Sequence, residues 1–166
     1  MFEPYYTSYV NYIEFAGGNI KTAPIINHNG KWEYDFETFE KLITPKTKVV
    51  IITNPHNPTG KIFTKQELEK LTTILDKHPQ IIVVSDDVYY FLTYDNREHH
   101  LFANIGDNYN KTISIFSAGK MLNATGWKVG WAIGPQDLIR NTALVHEAAV
   151  FNNNVPGQVA FAMSLD

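Results

Sequence analysis

The sequence predicts an α/β fold, a three-layer α/β/α sandwich in which helices pack on both faces of a mostly parallel central sheet. The main observation is that three apolar runs rich in β-branched residues occupy positions 48–53, 80–85 and 112–116. Continuous runs of this kind are typical of strands buried on both faces of a parallel sheet. A helical pattern separates the first two runs, and this order favours parallel pairing through right-handed crossovers.

The helix between the first two runs has a defined start and a defined apolar face. Thr64 and Glu67 have the spacing of a capping box, in which each side chain bonds the backbone N–H of the other residue. The apolar face consists of Leu68, Leu71, Ile74 and Leu75. This spacing predicts a helix that buries one side against the sheet.

Elements before the first run are predicted from turn and capping residues. A helix that begins near Pro4 is expected to run to about Phe15, where Ala16, Gly17 and Gly18 stop it, and a short strand follows at 19–26. Residues 27–30 have the composition of a turn. Asp35 can then cap a short helix through its side-chain oxygen.

Elements after the third run are a strand at 129–133, a helix at 135–150 and the start of another helix at 157–165. The residues available for the inner face of the helix at 135–150 are Leu138, Ile139, Thr142, Val145 and Ala149. No linker or repeat interrupts the pattern, so residues 1–166 are expected to form a single domain, without an internal boundary.

The amino-acid composition excludes several kinds of functional site. The chain has 44% hydrophobic and 19% charged residues and no cysteine, which excludes a disulfide scaffold, a thiolate metal site and a cysteine nucleophile. A net charge of −3 gives no electrostatic reason to bind nucleic acid or a membrane. No apolar run approaches the ~18 residues that span a bilayer, and no signal peptide is visible. We therefore expect a soluble cytoplasmic protein, or a mitochondrial one if the natural chain begins earlier.

Glu98, His99 and His100 are the closest approach to a metal-binding group. Adjacent side chains point to opposite sides of a strand, and no third ligand is placed nearby. We therefore expect a polar loop at this position and no metal site.

Polar side chains follow each of the three predicted parallel strands. Asn57 comes after the first strand, Asp86 and Tyr89 come after the second, and Ser117 and Lys120 come after the third. Ligands of open α/β sheets bind at the carboxyl ends of the strands. An amide, a carboxylate with a tyrosine, and a lysine are therefore expected to meet at one edge of the sheet.

This set of groups is what a pyridoxal phosphate enzyme needs. The Lys120 amine can form a Schiff base with the cofactor and later act as the general base that moves the substrate's α-proton. Asp86 can pair with the pyridine nitrogen and keep it protonated, so that the ring accepts electrons. Asn57 and Tyr89 can hydrogen-bond the phenolate oxygen.

Three further residues are predicted to hold the rest of the cofactor. Lys128, eight residues after Lys120, offers a cation to the phosphate, and Ser117 offers a hydroxyl. Tyr6 is the candidate for an aromatic ring that stacks on the pyridine.

Each of these residues also has an ordinary structural interpretation. A lysine after a strand is commonly a solvated surface residue. Asp86 or the adjacent Asp87 could cap a helix. Asn57 could merely stabilise a proline turn, and Tyr6 could be part of the core.

Several motifs in this order resemble the class I, fold-type I aminotransferases that depend on pyridoxal phosphate. The motifs are EPYYTSY at 3–9, AGG at 16–18, NPHNPTGK at 54–61, SDDVY at 85–89, SAGK at 117–120 and ATGWKVGW at 124–131. The most similar group is that of the kynurenine aminotransferases, which includes glutamine transaminase and cysteine-conjugate β-lyase. The resemblance runs from near residue 3 to the end of the chain.

The resemblance implies the same site. Lys120 would be the Schiff-base lysine, Asp86 the pyridinium partner, and Tyr89 and Asn57 the partners of the phenolate. Ser117 and Lys128 would contact the phosphate, and Tyr6 would stack on the ring. Lys128 stands where many class I members have arginine, whereas the kynurenine group itself has lysine there.

The resemblance also implies a reaction. It predicts transamination between an amino acid and a 2-oxo acid, with kynurenine, glutamine or another aromatic or large neutral amino acid as donor. Elimination from cysteine conjugates is an alternative reaction. A homodimer is the assembly that the resemblance implies for a complete protein.

Family members are more than twice as long as this chain. The resemblance therefore implies part of the large domain, without the phosphate-binding glycine loop, the N-terminal arm, and the small domain with its substrate-binding arginine. Neither Arg97 nor Arg140 lies in that arginine motif. The alternative to a working enzyme is a catalytically incompetent fragment that binds the cofactor or a full-length aminotransferase.

Overall fold

The computed structural model describes residues 1–165, which form two sheets and six α-helices. The strands are β1 (Phe2–Glu3), β2 (Ala23–His28), β3 (Lys31–Tyr34), β4 (Val49–Thr53), β5 (Ile82–Asp86), β6 (Thr112–Ser117) and β7 (Gly130–Ile133). The helices are α1 (Ser8–Phe15), α2 (Phe36–Leu42), α3 (Lys65–Leu75), α4 (Ala118–Met121), α5 (Gln136–Val150) and α6 (Val155–Met163). Short 3₁₀ helices cover Phe102–Asn104, Asn108–Lys111 and Thr125–Trp127.

The larger sheet has the strand order β4-β5-β6-β7. Strands β4, β5 and β6 are parallel neighbours, and β7 pairs antiparallel with β6. The predicted α/β fold with a mostly parallel sheet is therefore confirmed. In β5 and β6 fully buried residues alternate with partly exposed ones, so one face of the sheet is packed more tightly than the other.

The smaller sheet has the order β1-β2-β3 and was only partly predicted. Its hairpin turns at Asn29 and Gly30, both of which have positive φ angles, in agreement with the predicted turn. Strand β2 begins at Ala23, later than predicted, and β3 was missed. The two-residue β1 was also missed, because it forms only by pairing in parallel with β2.

The core lies around α3 and one face of the larger sheet. Leu68, Leu71 and Leu75 of α3 are completely buried, in the same cluster as Ile52 of β4 and Val83 of β5. The predicted capping box of α3 is confirmed by the reciprocal hydrogen bonds of its first turn. This helix therefore buries the face that its sequence pattern predicts.

Aromatic rings extend this core toward the smaller sheet. The rings of Tyr34 and Phe63 stack with their centroids 3.9 Å apart, and Phe2 packs against Tyr34 at 4.6 Å. Lys61 forms an ion pair with Glu67 at 2.7 Å and lies over the Tyr34 ring. The core thus joins the two sheets through side chains from distant parts of the chain.

The last two helices are far less buried. Helix α5 follows β7 as predicted, but within it only Leu138 and Ile139 are partly covered. The prediction that Val145 and Ala149 lie on an inner face is wrong for this structure, since both side chains are exposed. None of the helices within residues 1–165 is both long enough and apolar enough to cross a membrane.

Candidate active site

The three parallel strands deliver their following segments to one edge of the sheet, as predicted. The pairing continues past the strands, because the Asn54 N–H donates to the Asp86 carbonyl at 2.9 Å. In the same way, the Asp87 N–H donates to the Ile115 carbonyl at 2.9 Å. These bonds hold the start of the segment after β4 against β5, and the start of the segment after β5 against β6.

Lys120 lies in the single turn of α4, directly after β6. The Ser117 hydroxyl caps this helix by accepting a hydrogen bond from the Lys120 N–H at 3.3 Å. Gly119 lets α4 approach the backbone at Thr125 closely, because a Cβ at position 119 would lie 2.8 Å from Thr125 Cα. The Lys120 ammonium lies 5.8 Å from the centroid of the Tyr89 ring.

Asn57 and Tyr89 meet beside this lysine. The Asn57 amide donates a hydrogen bond to the Tyr89 hydroxyl at 3.2 Å. This bond joins the segment after β4 to the segment after β5, across positions 32 residues apart. Asn57 therefore does more than stabilise a proline turn, and three of the predicted site residues lie together.

Asp86 is partly buried at the end of β5. Burial raises the pKa of its carboxyl above the usual value, while a hydrogen bond from Tyr9 and the nearby Lys120 ammonium act to lower it. The Asp86 Oδ1 atom has a contact of 3.4 Å with the Val88 N–H. A carboxylate and an amine thus face the same edge of the sheet.

Tyr9 completes this corner, although it is not among the residues predicted for the site. Its hydroxyl is hydrogen-bonded to Asp86 Oδ2 and lies 3.0 Å from the Thr53 hydroxyl. The ring of Tyr6 packs edge-on against Tyr9, with centroids 5.5 Å apart. The spacing of three residues between the tyrosines was the available signal, because such residues share one side of a helical turn.

Tyr6 is 44% exposed. The alternative interpretation of Tyr6 as an ordinary core residue is therefore wrong. Its ring lies beside the Asp86 corner and leaves part of its surface open to a ligand.

Neither of the two aspartates caps a helix, because the residues after Asp87 form a turn. Asp87 is fully buried, and its carboxylate lies 3.4 Å from the Nε2 atom of His99. His99 Nε2 also lies 2.9 Å from the Asn54 carbonyl oxygen. His99 thus packs beneath the site, and no cluster of metal-ligating residues occurs within residues 1–165.

Lys128 lies apart from these contacts. It is exposed and adopts a left-handed conformation, with φ of 57°, after the 3₁₀ helix Thr125–Trp127. None of the ion pairs in the described part of the chain involves its ammonium group. A sparsely populated backbone conformation of this kind is common at functional sites.

A cleft of about 530 Å³ adjoins Asn57 and Tyr89. Apolar side chains, among them Ile62 and Leu92, line it together with Arg97. Its size is that of a small-molecule site, which commonly measures ~300–1,000 Å³.

The family model for aminotransferases of class I and II matches residues 1–166. The chain belongs to this family. Enzymes of the family use pyridoxal phosphate, and amino acids and oxo acids are their substrates.

Known members of the family resemble this chain along its whole length. It is 37% identical to a kynurenine–oxoglutarate transaminase of Dictyostelium discoideum, over 100% of this chain and 41% of the relative. It is 32% identical to human kynurenine–oxoglutarate transaminase 1, over 99% of this chain and 41% of that protein. The chain therefore spans about two fifths of the length of these curated relatives.

A solved structure in the family has the same fold. The N-succinyldiaminopimelate aminotransferase of Mycobacterium tuberculosis superposes with a TM-score of 0.95 at 34% identity. The match covers 99% of this chain and 43% of the other. The sheet and its helices are therefore those of an aminotransferase large domain.

The residues that meet at the sheet edge fit the family's cofactor. Asp86 is a carboxylate, which suits a protonated pyridine nitrogen, and Lys120 is an amine, which suits an aldehyde. The hydrogen-bonded pair of Asn57 and Tyr89 offers donors to a phenolate oxygen. The donor set at this edge is therefore chemically compatible with pyridoxal phosphate.

Proposed function

We propose that this chain contains the cofactor-binding part of an aminotransferase that exchanges an amino group between an amino acid and a 2-oxo acid. One observation carries the proposal. The Lys120 ammonium lies over the ring of Tyr89, whose hydroxyl accepts a hydrogen bond from Asn57. These groups come from the ends of three neighbouring strands.

In the proposed mechanism, pyridoxal phosphate supplies an electron-accepting pyridinium ring that stabilises negative charge at the substrate's α-carbon. The Lys120 amine would hold the cofactor and would also be the general base that moves the substrate's α-proton. Asp86 keeps the proton on the pyridine nitrogen by ion pairing. Lys120 is partly exposed, so that the cofactor and the substrate can both reach it.

The remaining residues orient the cofactor. Asn57 and Tyr89 would donate hydrogen bonds to its phenolate oxygen, and Tyr6 would pack on its ring. Ser117 offers a hydroxyl to the phosphate, and Lys128 offers a point charge, which binds phosphate without the bidentate geometry of arginine.

For the amino-group donor we propose an aromatic or large neutral amino acid, with kynurenine and glutamine as the first candidates. Two observations support this choice. The chain is similar to kynurenine–oxoglutarate transaminases, and the lining of the cleft beside Asn57 includes the apolar side chains of Ile62 and Leu92. The acceptor is a 2-oxo acid.

A second candidate function is cofactor binding without turnover by this chain alone. It is favoured by the chain's length, which is about two fifths of that of its relatives. The two arginines favour it also. Arg97 and Arg140 are both exposed, and neither lies in the arginine motif that binds the substrate carboxylate in the family.

Covalent labelling tests the site. Incubation with pyridoxal phosphate, reduction with borohydride and peptide mapping by mass spectrometry are expected to place one phosphopyridoxyl group on Lys120. Lys120→Ala is expected to lose this modification. Lys111→Ala is the matched control, because Lys111 is a partly buried lysine bonded to Asp76 at 2.7 Å, and it is expected to keep the label.

Modification of another lysine in the wild-type chain would contradict the site assignment. A transamination assay with kynurenine and 2-oxoglutarate then separates the two candidate functions. We expect little or no turnover by the isolated chain, and sustained turnover would overturn the second candidate.

A further inference from the structure

We propose that Tyr9 is a positioning residue that fixes the Asp86 carboxylate so that one oxygen faces the pyridine nitrogen of the cofactor. This inference rests on the proposed function of the site. It concerns a residue on α1 that lies 77 positions from Asp86 in the sequence.

The direction of the hydrogen bonds follows from the groups involved. An ionised carboxylate only accepts hydrogen bonds, so the Tyr9 hydroxyl must donate its single proton to Asp86 Oδ2. The Thr53 hydroxyl, 3.0 Å away, must then donate to the Tyr9 oxygen. The three groups form a directed chain from Thr53 through Tyr9 to Asp86.

This chain is anchored in the sheet. Thr53 is the last residue of β4, is 6% exposed, and is the register partner of Asp86 in β5. A rigid donor thus reaches Asp86 from a neighbouring strand through Tyr9. The arrangement restricts rotation of the carboxylate about its last bond.

The two carboxylate oxygens differ in what they contact. Oδ2 accepts from Tyr9, whereas Oδ1 has only the long contact of 3.4 Å with the Val88 N–H. Oδ1 therefore keeps its capacity for a strong, charge-assisted bond to a cationic ring nitrogen.

The electrostatics support this role. Burial raises the pKa of Asp86, and the hydrogen bond from Tyr9 acts against that rise, which favours the ionised form. Burial and the neighbouring carboxylate also raise the pKa of the Tyr9 hydroxyl, so the phenol keeps its proton near neutral pH. Tyr9 is thus a permanent donor to a carboxylate that must stay charged.

A cofactor analogue separates positioning of Asp86 from a general structural role. The dissociation constants of pyridoxal phosphate and of its 1-deaza analogue, in which carbon replaces the ring nitrogen, are measured by absorbance for each variant. We expect Tyr9→Phe to weaken pyridoxal phosphate about tenfold, because hydrogen bonds to charged groups contribute roughly this much. Binding of the deaza analogue is expected to change less than about twofold, since it lacks the atom that Asp86 holds.

Tyr12→Phe is the matched control, because Tyr12 lies on the same helix and is 67% exposed. It is expected to leave both constants unchanged. Thr53→Val is a second variant, which removes the donor to Tyr9 and conserves side-chain shape. It is expected to weaken pyridoxal phosphate selectively but by a smaller factor than Tyr9→Phe.

Equal weakening of both ligands by Tyr9→Phe would overturn the inference, because it would mean that Tyr9 only supports the fold. Unchanged binding of pyridoxal phosphate by Tyr9→Phe and Thr53→Val would overturn it as well. Failure of the wild-type chain to bind either ligand is a separate result. It would overturn the proposed function, and the inference with it.

Discussion

Helices α3 and α5 have similar amphipathic sequences but very different surroundings. In α3 the apolar residues Leu68, Leu71, Ile74 and Leu75 are all at most 4% exposed. In α5 no residue is fully buried, and Leu144 and Val145 are 58% and 70% exposed. Both helices nonetheless form where the sequence predicts them.

The difference shows that an apolar stripe specifies the side a helix can bury, and not what covers it. Helix α3 lies between strands that pair with each other, so its stripe packs on them. Helix α5 is followed by Phe151, Val159 and Met163, which are also exposed. Helix α5 and the residues after it thus expose several large apolar side chains that no other element within residues 1–165 covers.

The largest expected effect contrasts two leucines. Leu71→Ala is expected to lower the free energy of unfolding by about 2–5 kcal/mol, because it removes buried methyl groups and leaves a cavity. Leu144→Ala, on α5, is expected to change it by less than about 0.5 kcal/mol. Urea denaturation measures both. Similar losses at the two positions would mean that α5 is packed in solution as tightly as α3.

An intermediate effect is expected from pH. Burial lowers the pKa of His56 from 6.5 to about 4 in the folded chain. Between pH 6.5 and 4 the unfolded chain takes up a proton at His56 and the folded chain does not. The contribution of neutral His56 to the free energy of unfolding is therefore complete above pH 6.5 and is lost as the pH falls toward 4. The free energy of unfolding is expected to fall by up to about 3 kcal/mol across this window.

His56→Asn is expected to flatten that part of the profile, measured by urea denaturation at a series of pH values. The matched control is His146→Asn on the exposed α5, which is expected to keep the wild-type slope. A profile that is as steep in His56→Asn as in the wild-type chain would refute the assignment to His56.

The smallest expected effect compares two helix caps. Thr64→Ala removes the cap of the buried α3 and is expected to reduce stability by about 1 kcal/mol. Asn154 caps α6 by accepting from the Gly157 N–H at 3.0 Å. Asn154→Ala is expected to leave the urea midpoint nearly unchanged and to accelerate amide exchange within α6, because an exposed helix opens locally. A midpoint shift as large as that of Thr64→Ala would contradict this contrast.

Strand positions and the polar residues that follow them could be predicted from the sequence. Runs such as 48–53 and 112–116 are apolar at nearly every position, and such a local pattern requires no knowledge of its partners. Once the strands are parallel, their carboxyl ends must share one edge. The sequence therefore predicts that Asn57, Asp86 and Lys120 meet at this edge.

The contacts made by Tyr9 could not be predicted in the same way. Tyr9 reaches Asp86 only because α1 packs across the ends of β4 and β5, and no local pattern specifies that approach. The same reason explains why the pairing of β1 with β2 was missed, since a two-residue strand has no periodicity of its own.

The sequence by itself determined the strands of the larger sheet and the helices other than α4. It also determined which side of α3 is apolar and which polar residues follow the strands. These properties depend on neighbours within a few residues, so short-range chemistry is sufficient. The tertiary structure decided that Tyr9 is hydrogen-bonded to Asp86, that Asp87 faces His99, and that most of the apolar stripe of α5 stays exposed. Each of these depends on elements that are distant in sequence, and only their packing sets those distances.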